Sequence, residues 1–174
     1  MLRVQGRHEE AISEYETVLV FNRNSVHAIA DSGRCKIFIG QIDEAIPAQE
    51  QAIRLSPRDP MIGFWHFRIG QAHLLQSRID EAILWFEKAR GANPEIPSFR
   101  AYLASGYALQ GDTGRAAAEL FEARSLDREG TFSSIAHIRL RDSLNQNRGA
   151  RPTIRALFEA TYFAGLRKAG MPEE

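Results

Sequence analysis

The residues best suited to metal chemistry are two histidines, His66 and His73, which lie seven positions apart in one predicted helix. Seven helical residues rise about 10.5 Å along the axis. The two rings are therefore too far apart to share one ion, whose ligand nitrogens would each have to lie about 2 Å from it. His8, His27 and His137 have no partners at ligand spacing. The sequence predicts no metal site, and it favours packed core positions for His66 and His73.

Other catalytic patterns are missing from the sequence. It contains no G-x-x-x-x-G-K phosphate loop, no G-x-S-x-G nucleophile turn and no H-E-x-x-H zinc motif. The single Cys35 lies beside Ile37, Phe38 and Ile39, which favours a packed thiol over a reactive one. Acidic pairs such as Asp80-Glu81 fall in predicted first helical turns, where negative charge stabilises the helix dipole. We therefore expect no enzymatic activity and no cofactor.

The charge balance argues against nucleic-acid and membrane partners. The 174 residues include 22 basic and 22 acidic side chains, so the net charge is zero. The most basic stretch lacks the interleaved aromatic residues that stack on bases, and it comprises Arg139, Arg141, Arg148, Arg151 and Arg155. No apolar run is long enough for a signal sequence or a membrane span. The sequence predicts a cytoplasmic protein.

The elements that must position any binding residues repeat along the chain. "GQIDEAIPAQEQAIRLSP" (40–57) and "SRIDEAILWFEKARGANP" (77–94) share one order of residue types. Four small anchor residues recur at spacings of 34, 37 and 34, namely Ala11, Ala45, Ala82 and Ala116. Seven residues after the anchors come Val18, Ala52, Ala89 and Ala123. This spacing places both sets on one helix face, where small side chains let a neighbouring helix approach closely.

A first helix precedes three of these anchors. Its middle carries Gly33, Gly70 or Ala104, and Gly40 and Gly111 are placed to close the turn before the second helix. Each unit is thus predicted to be a helical hairpin. A hairpin alone cannot cover its apolar face, so copies are expected to stack into a superhelix with one shared core.

The predicted organisation has five parts. Residues 1–24 hold the second helix of a truncated repeat, residues 25–58, 59–95 and 96–128 each hold a hairpin, and residues 129–174 hold capping helices. In the repeat 59–95, Asp59 is predicted to cap a helix that starts at Pro60 and is about one turn longer than its counterparts. A helix that begins at Asp43 or Glu44 would place Pro47 in its first turn, where proline is tolerated.

Two helices are predicted in the C-terminal part. "SSIAHIRLRDSL" is capped by Ser133 or Ser134, and "NQNRGAR" (145–151) ends it. A second helix starts at Pro152 and ends around Arg167, Lys168 and Gly170, and its apolar face comprises Ile154, Leu157, Phe158, Tyr162 and Leu166. We interpret both helices as a solenoid cap, with a partner-docking or membrane-surface helix as the alternatives.

The first helix of the chain is predicted to present an uncovered apolar face, because no helix precedes it. This face comprises Ile12, Tyr15, Val18 and Leu19. Burying each such side chain is worth about 1.5–3 kcal/mol, so leaving them exposed is unfavourable. We expect either that this chain is the C-terminal piece of a longer protein or that two copies self-associate through this face.

The repeat resembles the tetratricopeptide repeat (TPR) family over roughly residues 6–128. The matching positions are the four anchors together with Gly33, Gly70, Leu103, Tyr107, Phe86, Pro57 and Pro94. The resemblance implies an all-α fold, a right-handed α-solenoid of TPR hairpins. "LSPRDP" (55–60) and "FAGLRKAGMPEE" (163–174) further resemble the C-terminal TPR region of bacterial class III adenylate or guanylate cyclase family proteins. That resemblance implies a regulatory part, to which no catalytic residue carries over.

The concave side of such a solenoid is lined by its first helices. Counting by three and four along them gives ten candidate partner-binding residues: His27, Asp31, Arg34, Phe64, Phe67, Arg68, Gln71, Ser98, Tyr102 and Ser105. Aromatic residues and arginines are typical of interface centres, although these residues could equally form ordinary surface. The sequence predicts a non-enzymatic module that binds a protein or peptide in this groove. The alternatives are a detached regulatory region of a cyclase and a self-assembling structural protein.

Overall fold

The computed structural model describes residues 1–144 and 148–174, and every regular element in these ranges is helical. A 3-10 turn (Leu2–Gln5) comes first. The following elements are α1 (His8–Phe21), α2 (Val26–Phe38), α3 (Ile42–Leu55), α4 (Ile62–Leu75), α5 (Ile79–Ala92), α6 (Pro97–Gln110) and α7 (Thr113–Leu126). A short 3-10 turn (Thr131–Ser133) then leads to α8 (Ile135–Leu144), α9 (Pro152–Phe158), a π-helical turn (Glu159–Phe163) and α10 (Ala164–Lys168).

Small residues set the spacing between packed helices, as the sequence predicts. The hairpins α2–α3, α4–α5 and α6–α7 lie within 25–58, 59–95 and 96–128. Ala45, Ala82 and Ala116 are at most 1% exposed, and the alanines seven residues later are fully buried. A Cβ atom added at Gly70 would lie 2.6 Å from the Phe86 ring, which requires glycine at this contact. The small-residue prediction is confirmed for the three hairpins, whereas Val18 on α1 is exposed.

The tight turns inside the hairpins use left-handed backbone. Gly40 and Gly111 have φ values of 88° and 94°, as expected for glycines that end a helix. Ser77 takes the corresponding place between α4 and α5 with φ of 58°, although it has a side chain. The α4–α5 turn therefore adopts the conformation of its counterparts without the residue that favours it.

Two details of the helix boundaries differ from the sequence prediction. Helix α4 has 14 residues, the same number as α6, so the prediction of a longer first helix is wrong. The Asp59 carboxylate instead accepts the Met61 backbone N–H at 2.9 Å, which forms a turn ahead of Ile62. Helix α3 starts at Ile42, so Pro47 lies inside the helix rather than in its first turn.

The C-terminal helices follow the predicted plan. The Ser134 hydroxyl accepts the His137 backbone N–H at 3.3 Å, so Ser134 caps α8. Segments α9, the π-helical turn and α10 form one helical run, which we call the terminal helix (residues 152–168). Its predicted apolar face is buried, except that Leu157 is half-buried. Residues 145–147 of the predicted break lie outside the described residues.

The N-terminal helix is better covered than the sequence predicts. Ile12 is 8% exposed and packs with Cys35 and Ile39, while Tyr15 and Leu19 are half-buried. Only Val18 of the four predicted residues is exposed, at 44%. The apolar face of α1 is covered because α2 packs against it and the 3-10 turn Leu2–Gln5 adds apolar contact from Leu2.

Candidate partner-binding groove

The terminal helix lies against the inner face of the hairpin stack, which we define as the side formed by α2, α4 and α6. The Tyr162 and Tyr102 rings stack with their centroids 3.8 Å apart. The Ser105 hydroxyl donates a hydrogen bond to the Tyr162 carbonyl at 2.9 Å, and Phe158 stacks near Phe38. The chain itself thus occupies part of the groove expected to receive a partner.

The terminal helix packs tightly against the inner face at Gly165. A Cβ atom added there would overlap both the hydroxyl and the backbone of Ser105. Ser105 is fully buried. The structure therefore places the predicted residue Ser105 inside the protein, where it holds the terminal helix.

Part of the groove stays open as a cavity of about 410 Å³, which we call the inner pocket. Its wall from α4 and α6 includes Phe64, Phe67, Arg68, Gln71, Ser98 and Tyr102, all of which the sequence analysis singled out. The opposite wall comes from the C-terminal part of the chain and includes Phe132, Ile138, Asp142 and Tyr162. The structure thus brings six predicted residues together with four that were not predicted to join them.

A chain of hydrogen bonds holds the polar groups of this pocket in place. Arg68 Nη1 donates to Gln71 Oε1 at 2.7 Å, and Gln71 Nε2 donates to the Tyr102 hydroxyl at 2.8 Å. The Arg68 guanidinium also lies 5.0 Å from the centre of the Phe67 ring. Burial lowers the pKa of Arg68 to about 10, and it raises the pKa of the Tyr102 hydroxyl well above its usual range.

Asp142 is the acidic member of the pocket. Burial raises the pKa of its carboxyl group to about 7, although the positive charges of Arg68 and Arg141 favour ionisation. Desolvation therefore outweighs the attraction of the arginines. A carboxyl group with such a pKa can change charge near neutral pH.

The remaining three predicted residues lie on α2. His27 is exposed, with its ring edge toward Trp65 at 6.4 Å between centroids. Asp31 is half-buried, accepts a hydrogen bond from the Tyr15 hydroxyl at 3.4 Å and lies 3.5 Å from Arg3 Nε. Arg34 is half-buried beside them. These residues form a separate charged region outside the lining of the inner pocket.

Sequence reasoning missed the pocket wall from the C-terminal segment. The periodicity of the terminal helix identified Tyr162 as a core-facing residue, but it could not show which surface that face contacts. Phe132 and Asp142 carry no signal in the repeat pattern, because they lie beyond its last copy. Their positions depend on how the chain folds back onto α4 and α6.

The histidines considered for metal binding have other surroundings. The His66 ring lies 5.5 Å from the Trp85 ring, and His73 is 9% exposed in α4. Within residues 1–144 and 148–174, no three His, Cys, Asp or Glu side chains gather as metal ligands would. Over the same ranges, no helix has the length and apolar character needed to cross a bilayer.

Comparisons with known proteins address the fold. Residues 36–97 match the tetratricopeptide repeat family model. A crystal structure of MamA is similar, with a TM-score of 0.64 and 19% sequence identity. The match covers 95% of this chain and 92% of the MamA chain. A crystal structure of YrrB, described as a TPR protein with an unusual peptide-binding site, is also similar, with a TM-score of 0.59 and 15% sequence identity. That match covers 95% of this chain and 84% of the YrrB chain. No curated protein matches. The chain therefore has the all-helical solenoid fold of tetratricopeptide-repeat proteins, and residues 36–97 carry the sequence pattern of that repeat.

Proposed function

We propose that this chain is a non-enzymatic protein-interaction module, which binds a peptide or a neighbouring domain in the inner pocket. The observation that supports the proposal is the convergence of six predicted residues on one cavity of about 410 Å³. Pockets of this size suit a few side chains of a partner. The similarity to YrrB, a protein with a peptide-binding site, adds a precedent on the same fold.

The lining of the pocket suits recognition of a bulky side chain. Phe64 and Ser98 are half-buried at the pocket and remain accessible. Phe67 and Tyr102 form a rigid aromatic base, since their rings meet edge to face at 4.8 Å. Aromatic residues held in place by their neighbours lose little conformational freedom on binding, which favours affinity.

The experiment is a selection of peptides from a displayed random library, followed by calorimetric titration of the best binders. Substituting Ser98→Trp would fill the mouth of the pocket and should weaken binding at least about tenfold, equivalent to about 1.4 kcal/mol. Phe64→Ala removes one wall and should act in the same direction. Circular dichroism would establish that both variants remain folded.

The matched control is Phe121→Ala, since Phe121 is a phenylalanine of α7 that is 70% exposed and does not line the pocket. It should leave the affinity unchanged. Equal affinity of the selected peptides for the native chain and for Ser98→Trp would refute binding in the inner pocket.

Self-association is a second candidate, favoured by the surface of α1. Val18 is 44% exposed, although its counterparts Ala52, Ala89 and Ala123 are fully buried, and Val20 and Phe21 are 77% and 87% exposed. We propose that a second copy covers this apolar strip. Sedimentation should then show concentration-dependent dimers that Phe21→Ser abolishes. A monomer at all concentrations would rule this candidate out.

The cyclase alternative rests on the resemblance of "LSPRDP" and "FAGLRKAGMPEE" alone. The first segment includes the connection between α3 and α4, and the second covers the end of the terminal helix and the residues after it. As this second alternative, we propose that the chain is the regulatory region of a nucleotide cyclase. The gene sequence upstream of Met1 tests this, because the absence of an encoded cyclase domain would exclude it.

A further inference from the structure

The N-terminal part of the chain contacts the connection that precedes the terminal helix at a joint, which we call the clasp and define by Gly6, His8, Phe38 and residues 148–151. His8, the first residue of α1, donates a hydrogen bond from its ring Nε2 to the Arg148 carbonyl at 3.0 Å. The Arg151 backbone N–H donates to the Phe38 carbonyl, also at 3.0 Å. The clasp therefore connects α1 and the end of α2 to the start of the terminal helix.

Two glycines let the backbones of the clasp approach each other closely. Gly6 and Gly149 have φ values of 79° and 81°, in the left-handed region that favours glycine. A Cβ atom added at Gly6 would lie 2.5 Å from the Arg148 carbonyl oxygen, and one added at Gly149 would overlap the Gly6 carbonyl. The two segments are thus packed directly against each other, and an ion pair between Arg151 and Glu9 at 2.6 Å adds to the contact.

The His8 ring is buried within the clasp. It is 2% exposed and stacks on Phe38 with 4.9 Å between the ring centroids. A carbonyl oxygen can only accept a hydrogen bond, so Nε2 carries the proton in the neutral ring. Nδ1 is then the unprotonated nitrogen, and it is buried without a hydrogen-bond partner among the described residues. A second proton must therefore go to a buried atom that has no acceptor beside it.

The charges around the ring do not favour a positively charged His8. They belong to Arg3, Arg7, Glu9, Glu10, Arg34 and Arg151, whereas the Arg148 side chain is exposed. Both carboxylates are already paired, Glu9 with Arg151 and Glu10 with Arg7. Burial lowers the pKa of the His8 ring, and the charges of Arg34 and Arg3 act in the same direction, although the bond to Arg148 raises it. The closed clasp therefore favours the neutral ring.

We propose that His8 makes the clasp a pH-sensitive switch, which holds the start of the terminal helix to α2 at neutral pH and releases it under mildly acidic conditions. Protonation places a charge and an N–H without an acceptor in a buried position, and opening the clasp returns both to water. Release frees residues 148–151 from the end of α2, while the contact between Gly165 and Ser105 still holds the far end of the terminal helix. The inference does not depend on which partner the inner pocket binds.

The direction of the pH dependence follows from the lowered pKa. A histidine released into water has its usual pKa of about 6.5, so it binds a proton more tightly than the ring in the closed clasp. The clasp is therefore fully stable above about pH 6.5 and loses stability as the pH falls below that value.

Amide hydrogen exchange in the full chain tests the switch, because the Arg151 N–H reports directly on the clasp. Its protection factor, which corrects for the intrinsic pH dependence of exchange, should fall about three- to tenfold between about pH 7.5 and about pH 5.5. Amides in the middle of α6 should keep their protection over this range. A constant protection factor for Arg151 would overturn the proposal, and so would an equal fall in α6, because that would indicate global unfolding.

Two variants assign the switch to His8. His8→Gln can still donate to the Arg148 carbonyl, and His8→Phe can still stack on Phe38, but neither side chain titrates. The pH dependence of Arg151 protection should therefore disappear in both. The matched control is His73→Gln, because His73 is also buried and burial also lowers its pKa, yet it lies in α4 outside the clasp. It should keep the native pH dependence. If either His8 variant keeps that dependence, or if His73→Gln loses it, His8 is not the group that switches the clasp.

The ion pair between Glu9 and Arg151 is the competing source of a pH-dependent clasp. Glu9→Gln removes this pair and should lower the protection of Arg151 at neutral pH, but it should leave the pH dependence, since His8 is unchanged. Loss of the pH dependence in Glu9→Gln would place the switch in the ion pair and refute the role of His8.

Discussion

At the scale of single residues, Ser77 shows how a repeat departs from its own pattern. Gly40, Ser77 and Gly111 close equivalent turns, and all three have positive φ. Glycine reaches this conformation without a steric cost, whereas a serine does not. The α4–α5 turn is therefore the least favourable of the three in backbone conformation.

We expect Ser77→Gly to raise the free energy of unfolding by about 0.5–1 kcal/mol, because relief of the backbone outweighs the added freedom of the unfolded chain. Urea denaturation would measure the change. Gly111→Ser is the mirror experiment, since a Cβ atom there would meet no atom within 4 Å and the effect would be purely conformational. It should lower stability by a similar amount, and an unchanged midpoint in both variants would contradict the argument.

Asp142 gives the fold a predictable dependence on pH. Its folded-state pKa of about 7 lies above the value of about 3.9 for an unfolded aspartate, so the folded chain binds the proton more tightly. The resulting stabilisation is present at low pH and is lost as the pH rises through about 7. Native protein should therefore lose stability relative to Asp142→Asn between about pH 5 and about pH 8. Parallel pH profiles for both proteins would disprove the shift.

At the scale of elements, the sequence predicted the hairpins because their determinants are local. The alanines seven residues apart and the turn glycines report directly on packing and backbone conformation, and both occupy their expected places. The predicted start of α4 was wrong because the Asp59 side chain accepts the Met61 N–H. The resulting turn competes with an earlier start of the helix. The π-helical turn was also missed.

The π-helical turn has a physical explanation in the spacing of the terminal helix. Ile154, Phe158, Tyr162 and Leu166 follow one another at intervals of four residues. In a regular α-helix each such step overshoots a full turn by roughly 40°. A wider turn at Glu159–Phe163 offsets this drift and keeps all four side chains buried.

Pro47 gives a test at this scale, because it lies inside α3 and cannot donate a backbone hydrogen bond to Asp43. Pro47 is exposed, so its ring adds little packing. Pro47→Ala should raise the free energy of unfolding by about 1–3 kcal/mol. Pro97→Ala is the control, since Pro97 begins α6, where its missing N–H would have no helical partner. Equal effects of the two substitutions in urea denaturation would contradict this account.

In the whole molecule, the terminal helix covers part of the groove that the sequence predicts as a binding surface. The inner-face residues could be found by counting along each first helix, but the helix that covers Tyr102 and Ser105 could not. Contacts between segments some sixty residues apart depend on tertiary packing, which helix periodicity does not encode. The sequence therefore predicted the wall of the inner pocket that α4 and α6 form, but not the wall that the C-terminal part of the chain forms.

The terminal helix acts as a permanent part of the site rather than as a displaceable plug. Its large buried apolar and aromatic side chains are Ile154, Phe158, Tyr162, Phe163 and Leu166. At about 1.5–3 kcal/mol each, they contribute an amount comparable with the total stability of a typical domain. The backbone N–H groups of Ile135 and Ala136 also donate to the carbonyls of residues 172 and 173, which ties the tail to α8.

Gly165→Ala tests this conclusion, because the new methyl group would overlap Ser105 and push the terminal helix away from α6. We expect a loss of about 1–3 kcal/mol in urea denaturation, as for other overpacked cores, and faster tryptic cleavage after the exposed Arg155. Gly91→Ala is the control, since no atom lies within 4 Å of its added Cβ and alanine favours the helix. If Gly165→Ala instead unfolds and is cleaved like the native chain, the terminal helix is not clamped to the inner face, and a partner could displace it to reach the whole groove.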